Sequence, residues 1–209
     1  MRDRAPSGDV EWAASARPRR GEAVSGDLGF VTTVPGGSLV AAVDGVGHGR
    51  EAARAARTAA TVVRATPDAD LVALVQRCHE ALRGTRGAAV SVAFLSHADA
   101  TLRWLGVGTV EGRLLAGRAG DTGRDRSLRL VRGLPGHVLP RLTVTTLPLR
   151  RGDLVVLATD GVAGQFADAL EVAGSAEAIA QRILARHCDG SDDALAVVAR
   201  WLPTAPERR

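Results

Sequence analysis

A chain of 209 residues is long enough to bury roughly 70% of its unfolded surface without metal or disulfide staples, so any metal it takes serves chemistry rather than folding. The net charge of +4 and pI near 10.6 point toward nucleic acid, but all 27 basic residues are arginines scattered among 23 acids, and the aromatics are only three Trp and three Phe. That excludes a basic face studded with aromatics, and the absence of any apolar run near the ~20 residues of a bilayer span excludes a membrane helix.

Residues 1–9 are polar and charged and read as a loose end, with no signal-peptide core before Arg20. Val10 to Ala16 reads as a first strand, and Arg17-Pro18-Arg19-Arg20-Gly21 as a turn leading through Glu22 to Ser25-Gly26-Asp27. Phe30 to Val34 and Ser38 to Val43 flank Pro35-Gly36-Gly37, the pattern of a hairpin, and pairing them brings Asp27 beside Asp44. Asp44-Gly45-Val46-Gly47-His48-Gly49 then passes from strand to turn. Its glycines let the backbone approach a partner closely, and a carboxylate beside bare carbonyls suits a magnesium- or manganese-type ion. An ordinary tight turn with a capping aspartate fits the same six residues.

Ala52, Ala56, Ala59 and Val63 recur at helical spacing opposite Arg50, Arg54 and Arg57, predicting a helix over 50–64. Thr66-Pro67 opens a second helix with Asp68 and Asp70 in its first turn, a buried stripe of Leu71, Leu74, Val75, Cys78 and Leu82, and an end at Gly84. Two consecutive helices then cover one sheet face. Cys78 and Cys188 lie in helix-like segments without nearby ligands and read as buried free thiols, which suits the reducing cytoplasm.

Ala88 to Leu95 and Thr101 to Val107 predict a further hairpin, followed by a strand over Thr109 to Leu115, a polar loop over 117–126, and strands at Ser127 to Val131 and Leu142 to Leu147. Leu154 to Ala158 is a central-strand run that ends at Thr159-Asp160-Gly161. Ser175 caps a helix with Ile179, Ala180, Ile183 and Leu184 on one face, and Asp189-Gly190-Ser191-Asp192-Asp193 leads into a last strand, Ala194 to Trp201. Residues 202–209 read as a frayed tail.

Asp27, Asp44, Asp160 and Asp192-Asp193 thus each stand where an apolar strand meets a turn. Carboxylates brought together repel unless a cation sits among them, whereas unrelated turn aspartates need none. The ordered set Ser25-Gly26-Asp27, Asp44-Gly45-Val46-Gly47-His48-Gly49, Thr159-Asp160-Gly161-Val162 and Asp192-Asp193 resembles the metal-dependent protein phosphatases, the family of the 2C-type and SpoIIE-like enzymes. Thr85-Arg86-Gly87-Ala88, Gly106-Val107-Gly108 and Gly133-Leu134-Pro135-Gly136, with no attached sensor domain, are similar to its RsbX-type stand-alone serine phosphatases.

This resemblance implies an α+β fold: a four-layer α-β-β-α sandwich of two antiparallel sheets flanked by helices, one domain over 10–201. It implies two divalent cations, Mn or Mg, with Asp44 bridging them and the Gly45 carbonyl on one. Asp27, Asp160 and Asp192 would add ligands directly or through water, and Asp193 would orient a ligand or a water, though either member of that pair could be drawn onto the metal. Asp44 and Asp160 are the catalytic candidates. For substrate phosphate the candidates are Arg17, Arg19 and Arg20 by proximity, a solvated arginine turn being the alternative. His48 is either a proton donor to the leaving oxygen or a loop-packing residue.

The implied reaction is hydrolysis of phosphoserine or phosphothreonine on a protein, and the implied partner is a phosphorylated STAS-domain antagonist or scaffold of a stress-response partner-switching module, with oligomeric state left open. One departure stands out. A serine or threonine usually follows two residues after the acidic pair, and here that place is Leu195. The missing hydroxyl favours a rival, a phosphatase-fold docking module with weak or no activity. An aspartyl-phosphate phosphatase of another fold would need a second aspartate where Val46 stands.

Overall fold

In the computed structural model, which describes residues 9–65, 70–117, 125–162, 164–168 and 170–203, the elements run β1 (Val10–Arg17), β2 (Asp27–Val34), β3 (Gly37–Gly45), α1 (Gly49–Ala65), α2 (Leu71–Leu82), β4 (Ala88–Ser96), β5 (Thr101–Val107), β6 (Glu111–Leu115), β7 (Arg126–Leu128), β8 (Thr145–Pro148), β9 (Leu154–Ala158), α3 (Ala176–His187) and β10 (Ala194–Trp201). One sheet has the order β1-β10-β9-β6-β7 and the other β2-β3-β4-β5-β8, with antiparallel neighbours throughout.

Period-two alternation explains the layering. In β9 and β10, Val155, Leu157, Leu195 and Val197 join Val40 and Trp104 in the core between the sheets. Their sequence neighbours Val156, Ala158, Ala196 and Val198 face Ile179, Ala180, Ile183 and Leu184 of α3. Gly29 of β2 lies under Leu195 and Val197, and a Cβ there would collide with the Val197 side chain, so the sheets meet closely at this point.

Helices α1 and α2 cover the opposite face of the second sheet, as the two stripes predict: Ala52, Ala56, Ala59 and Val63 are buried, and so are Leu71, Leu74, Val75, Cys78 and Leu82. The small alanine face brings α1 down onto the end of β3. Asp70 is the N-cap of α2, accepting from the Val72 and Ala73 N–H groups, rather than a first-turn residue. Thr66, Pro67 and Asp68 lie outside the described residues, as do most of the polar loop (118–124) and the end of the tail (204–209).

The irregular stretch before β9 departs most from expectation. The strand read over 127–131 is only Arg126–Leu128, and Val131 makes a single parallel bridge to Val107. The strand read over 142–147 shrinks to Thr145–Pro148 on the sheet edge. Between them the backbone bonds locally, Leu134 and His137 closing turns of their own, in a segment rich in glycine and proline that cannot sustain a ladder. β6 begins at Glu111, which leaves Thr109 in the crossing from one sheet to the other. Cys78 is buried as expected, whereas Cys188 sits just past α3 as its C-cap and is half-buried. Among the described residues no helix is long and apolar enough to cross a membrane.

Candidate functional site

Strand register creates the first carboxylate pair. The β2–β3 hairpin sets Asp27 directly opposite Asp44, and on its other side Asp44 faces Ala89 of β4, whose small side chain leaves the position open. Asp160 follows β9, and Asp192 and Asp193 precede β10, its neighbour in the facing sheet.

The acids of the two sheets feel one another. Burial, and next the charge of Asp44, push the Asp27 carboxyl up to about 8, with Asp193 and Asp160 adding to the rise. Asp44 is pushed up to about 6 by burial and then by Asp160, with Asp192 adding. Asp160 is raised by burial and by Asp192. Among the described residues none of these four acids, Asp27, Asp44, Asp160 and Asp192, has a basic ion-pair partner. Among the described residues no cationic side chain is therefore placed to offset the charge they carry when ionised.

Two hydroxyls hold the central pair. Thr159 Oγ1 donates to Asp27 Oδ2 at 2.7 Å and accepts the Leu195 N–H at 2.9 Å, while Thr109 Oγ1 donates to Asp44 Oδ2 at 2.9 Å. Asp193 is buried, and its two oxygens accept the N–H groups of Arg19 and Gly26, each at 2.8 Å, so it fastens the loop between β1 and β2 to the start of β10. Asp192 is exposed and accepts the Asp193 N–H through Oδ1. Beside Asp160 and Asp192 opens a cleft of about 590 Å³, walled also by Arg186, His187 and Cys188.

The remaining candidates lie around this centre. His48 is exposed, with Nδ1 2.5 Å from Glu22 Oε1 across the mouth of the turn. Arg20 is turned away toward the loop before β10, its Nη2 donating to the Asp189 carbonyl and its N–H to that of Gly190. Arg17 is exposed at the end of β1 opposite Ala194. Sequence reasoning passed over Thr109, Thr159 and Glu22. The available signal was adjacency: Thr109 follows Gly106-Val107-Gly108, and Thr159 precedes Asp160.

Gly45 ends β3 so close to α1 that a Cβ would run into the Ala52 carbonyl. Backbone cannot yield as a flexible side chain can. Gly45→Ala is expected to lower the denaturant midpoint by an amount worth about 3 kcal/mol, the upper end for overpacking, and an unchanged midpoint would mean that α1 is not seated here.

The donor set fits a hard divalent cation. It consists of carboxylates and a carbonyl, with no thiol or imidazole among them, which favours Mg or Mn over Zn. Among the described residues no three His, Cys, Asp or Glu side chains converge tightly enough to hold one ion unaided. Ions of this type keep several waters in their shell, so a spread set of acids suits them.

A family model for stage II sporulation protein E (SpoIIE) matches residues 35–202. No curated protein matches significantly. Among solved structures, a chain described with the bacterial stressosome, a modular system adapted to control secondary messenger signalling, is 28% identical, with TM-score 0.81 over 91% of this chain and 99% of that one. RsbX in complex with magnesium is 18% identical, with TM-score 0.84 over 96% and 100% of the two chains. The Mycobacterium tuberculosis serine/threonine phosphatase PstP/Ppp is 19% identical, with TM-score 0.74 over 94% and 100%. At these last identities the likeness is one of fold, and the fold is the expected α-β-β-α sandwich.

Proposed function

The chain belongs to the SpoIIE family, and from that premise we propose that it is a metal-dependent protein serine/threonine phosphatase, a single unit over residues 10–201 working in the cytoplasm on a phosphorylated STAS-domain protein of a stress-signalling module. The observation that supports the reading is that Asp27 and Asp44 stand opposite each other in one sheet and feel the charges of Asp160, Asp192 and Asp193 from the other, with no basic ion-pair partner for Asp27, Asp44, Asp160 or Asp192 among the described residues. The 28%-identical stressosome chain supports the signalling context.

Asp44, Asp27, Asp160 and Asp192, with the Gly45 carbonyl, would hold two Mn or Mg ions. When bound, such ions supply Lewis acidity toward the phosphoryl group and lower the pKa of water toward neutrality. The carboxylates offset the ions' charge and fix their spacing. Asp193 keeps its place behind them, holding the loop of Arg19 and Gly26 against the site. His48, oriented by Glu22 through Nδ1, would need the imidazolium form to give a proton from Nε2 to the leaving serine oxygen. Arg17 and Arg20 are the cations offered for substrate, Arg20 after release from Asp189.

The docking-module rival drew on the hydroxyl absent from position 195. The Leu195 N–H is taken up instead by the hydroxyl of Thr159, which also reaches Asp27. The test is phosphate release from a panel of phosphoserine-bearing STAS proteins and from an aryl phosphate, with manganese or with a chelator. Manganese-dependent release from both is expected. Release from the aryl phosphate alone would discard the STAS substrate, and release from neither would discard the enzyme.

A further inference from the structure

We propose that Thr109 and Thr159 are positioning residues of the metal centre, each hydroxyl holding one member of the Asp27–Asp44 pair in the orientation that receives a divalent cation; this deepens the metal-dependent reading above and rests on it. Thr159 is buried and its hydroxyl is used in both directions, accepting the Leu195 N–H and donating to Asp27 Oδ2. With one lone pair taken by the Leu195 N–H, the O–H donates to the carboxylate 2.7 Å away. Thr109 does the same for Asp44 from the other flank. Both hydroxyls take Oδ2, and each carboxylate keeps further lone pairs for an ion.

The Thr159 bond also runs between layers. Thr159 follows β9 in one sheet and Asp27 opens β2 in the other, while Thr109 sits where the chain crosses from β5 to β6. The direction of the Asp27 carboxylate is thereby tied to the spacing of the two sheets, which the close contact of Gly29 with Leu195 and Val197 fixes nearby. Leu195 itself turns its side chain into the inter-sheet core and contributes only its N–H. On the β9–β10 side of the pair, Thr159 is thus the hydroxyl that serves, in place of one at 195. Groups that orient a ligand from behind matter to affinity even though they never touch the ion.

A purely structural role would show in stability and leave metal uptake alone. The experiment compares Thr109→Val and Thr159→Val, which keep shape and delete the hydroxyl, with Thr109→Ser and Thr159→Ser, which keep the hydroxyl. Manganese affinity is read by calorimetry and by the spectroscopic signal of free Mn, and melting is read in chelator. Each valine variant is expected to bind manganese about 10–100-fold more weakly, with the serine variants within about 3-fold of wild type, the range lost when an outer-shell partner is removed. Thr109 is exposed, so its valine variant is readable even where the buried Thr159→Val does not fold. Valine variants that bind as wild type does, or serine variants that weaken as much as valine, overturn the proposal alone. Wild-type protein that takes up no manganese overturns it together with the metal-dependent reading.

Discussion

Asp44→Asn is expected to reduce manganese-dependent phosphate release by more than the roughly 100-fold that loss of an outer-shell partner can cost, because it removes a charge proposed to hold the ions directly. Asparagine keeps the size of the side chain and an oxygen for the Thr109 hydroxyl, so the local packing survives. Stability in chelator should not fall. Asp44 is the largest source of charge repulsion on Asp27, and neutralising it relieves a buried carboxyl that burial has already pushed up. The paired measurement is kcat/KM on an aryl phosphate with manganese and the melting temperature with chelator. A rate within a few-fold of wild type would take Asp44 out of the reaction, and a large drop in melting temperature would make it a structural residue instead.

The second large effect is on stability against pH. The chelated protein should weaken as pH rises from about 4 to about 8. Asp27 and Asp44 have folded-state pKa values of about 8 and about 6, both above the ordinary carboxylate value of 3.8. Across that window the folded chain binds more protons than the unfolded chain, so stability falls with rising pH. The favourable contribution is complete below the unfolded value and is lost as pH passes through about 6 and then about 8. Because the two titrate as a pair, the loss is on the order of a few kcal/mol rather than the sum of two independent shifts. A bound divalent cation reverses the sign, since it favours the ionised acids. Urea midpoints at pH 5 and pH 8 with chelator and with manganese check this. A flat profile in chelator would mean that the acids do not crowd one another.

Much of this was legible before any coordinates. The hairpin turn at Pro35-Gly36 fixes the register that sets Asp27 against Asp44, and the alanine spacing of α1 dictates a helix that can lie close on a sheet. The hydroxyl latches were not legible, because a threonine's partner is a tertiary matter: Thr159 lies 132 residues from Asp27 and Thr109 lies 65 from Asp44. The division of labour between Asp192 and Asp193 was hidden for a different reason. Consecutive residues entering a strand turn to opposite sides, and pattern alone does not say which side holds the backbone N–H groups of Arg19 and Gly26. The stretch from Arg129 to Val144 has strand-like composition in places, but its glycines and prolines direct the backbone into local turns.

Acids from the two sheets are expected to converge on divalent cations at one edge of the sandwich. Anomalous scattering from crystals soaked in manganese tests it most directly. Two peaks are expected, both against Asp44, with Asp27, Asp160 and Asp192 around them; manganese bound elsewhere on the surface, or nowhere, would contradict the account.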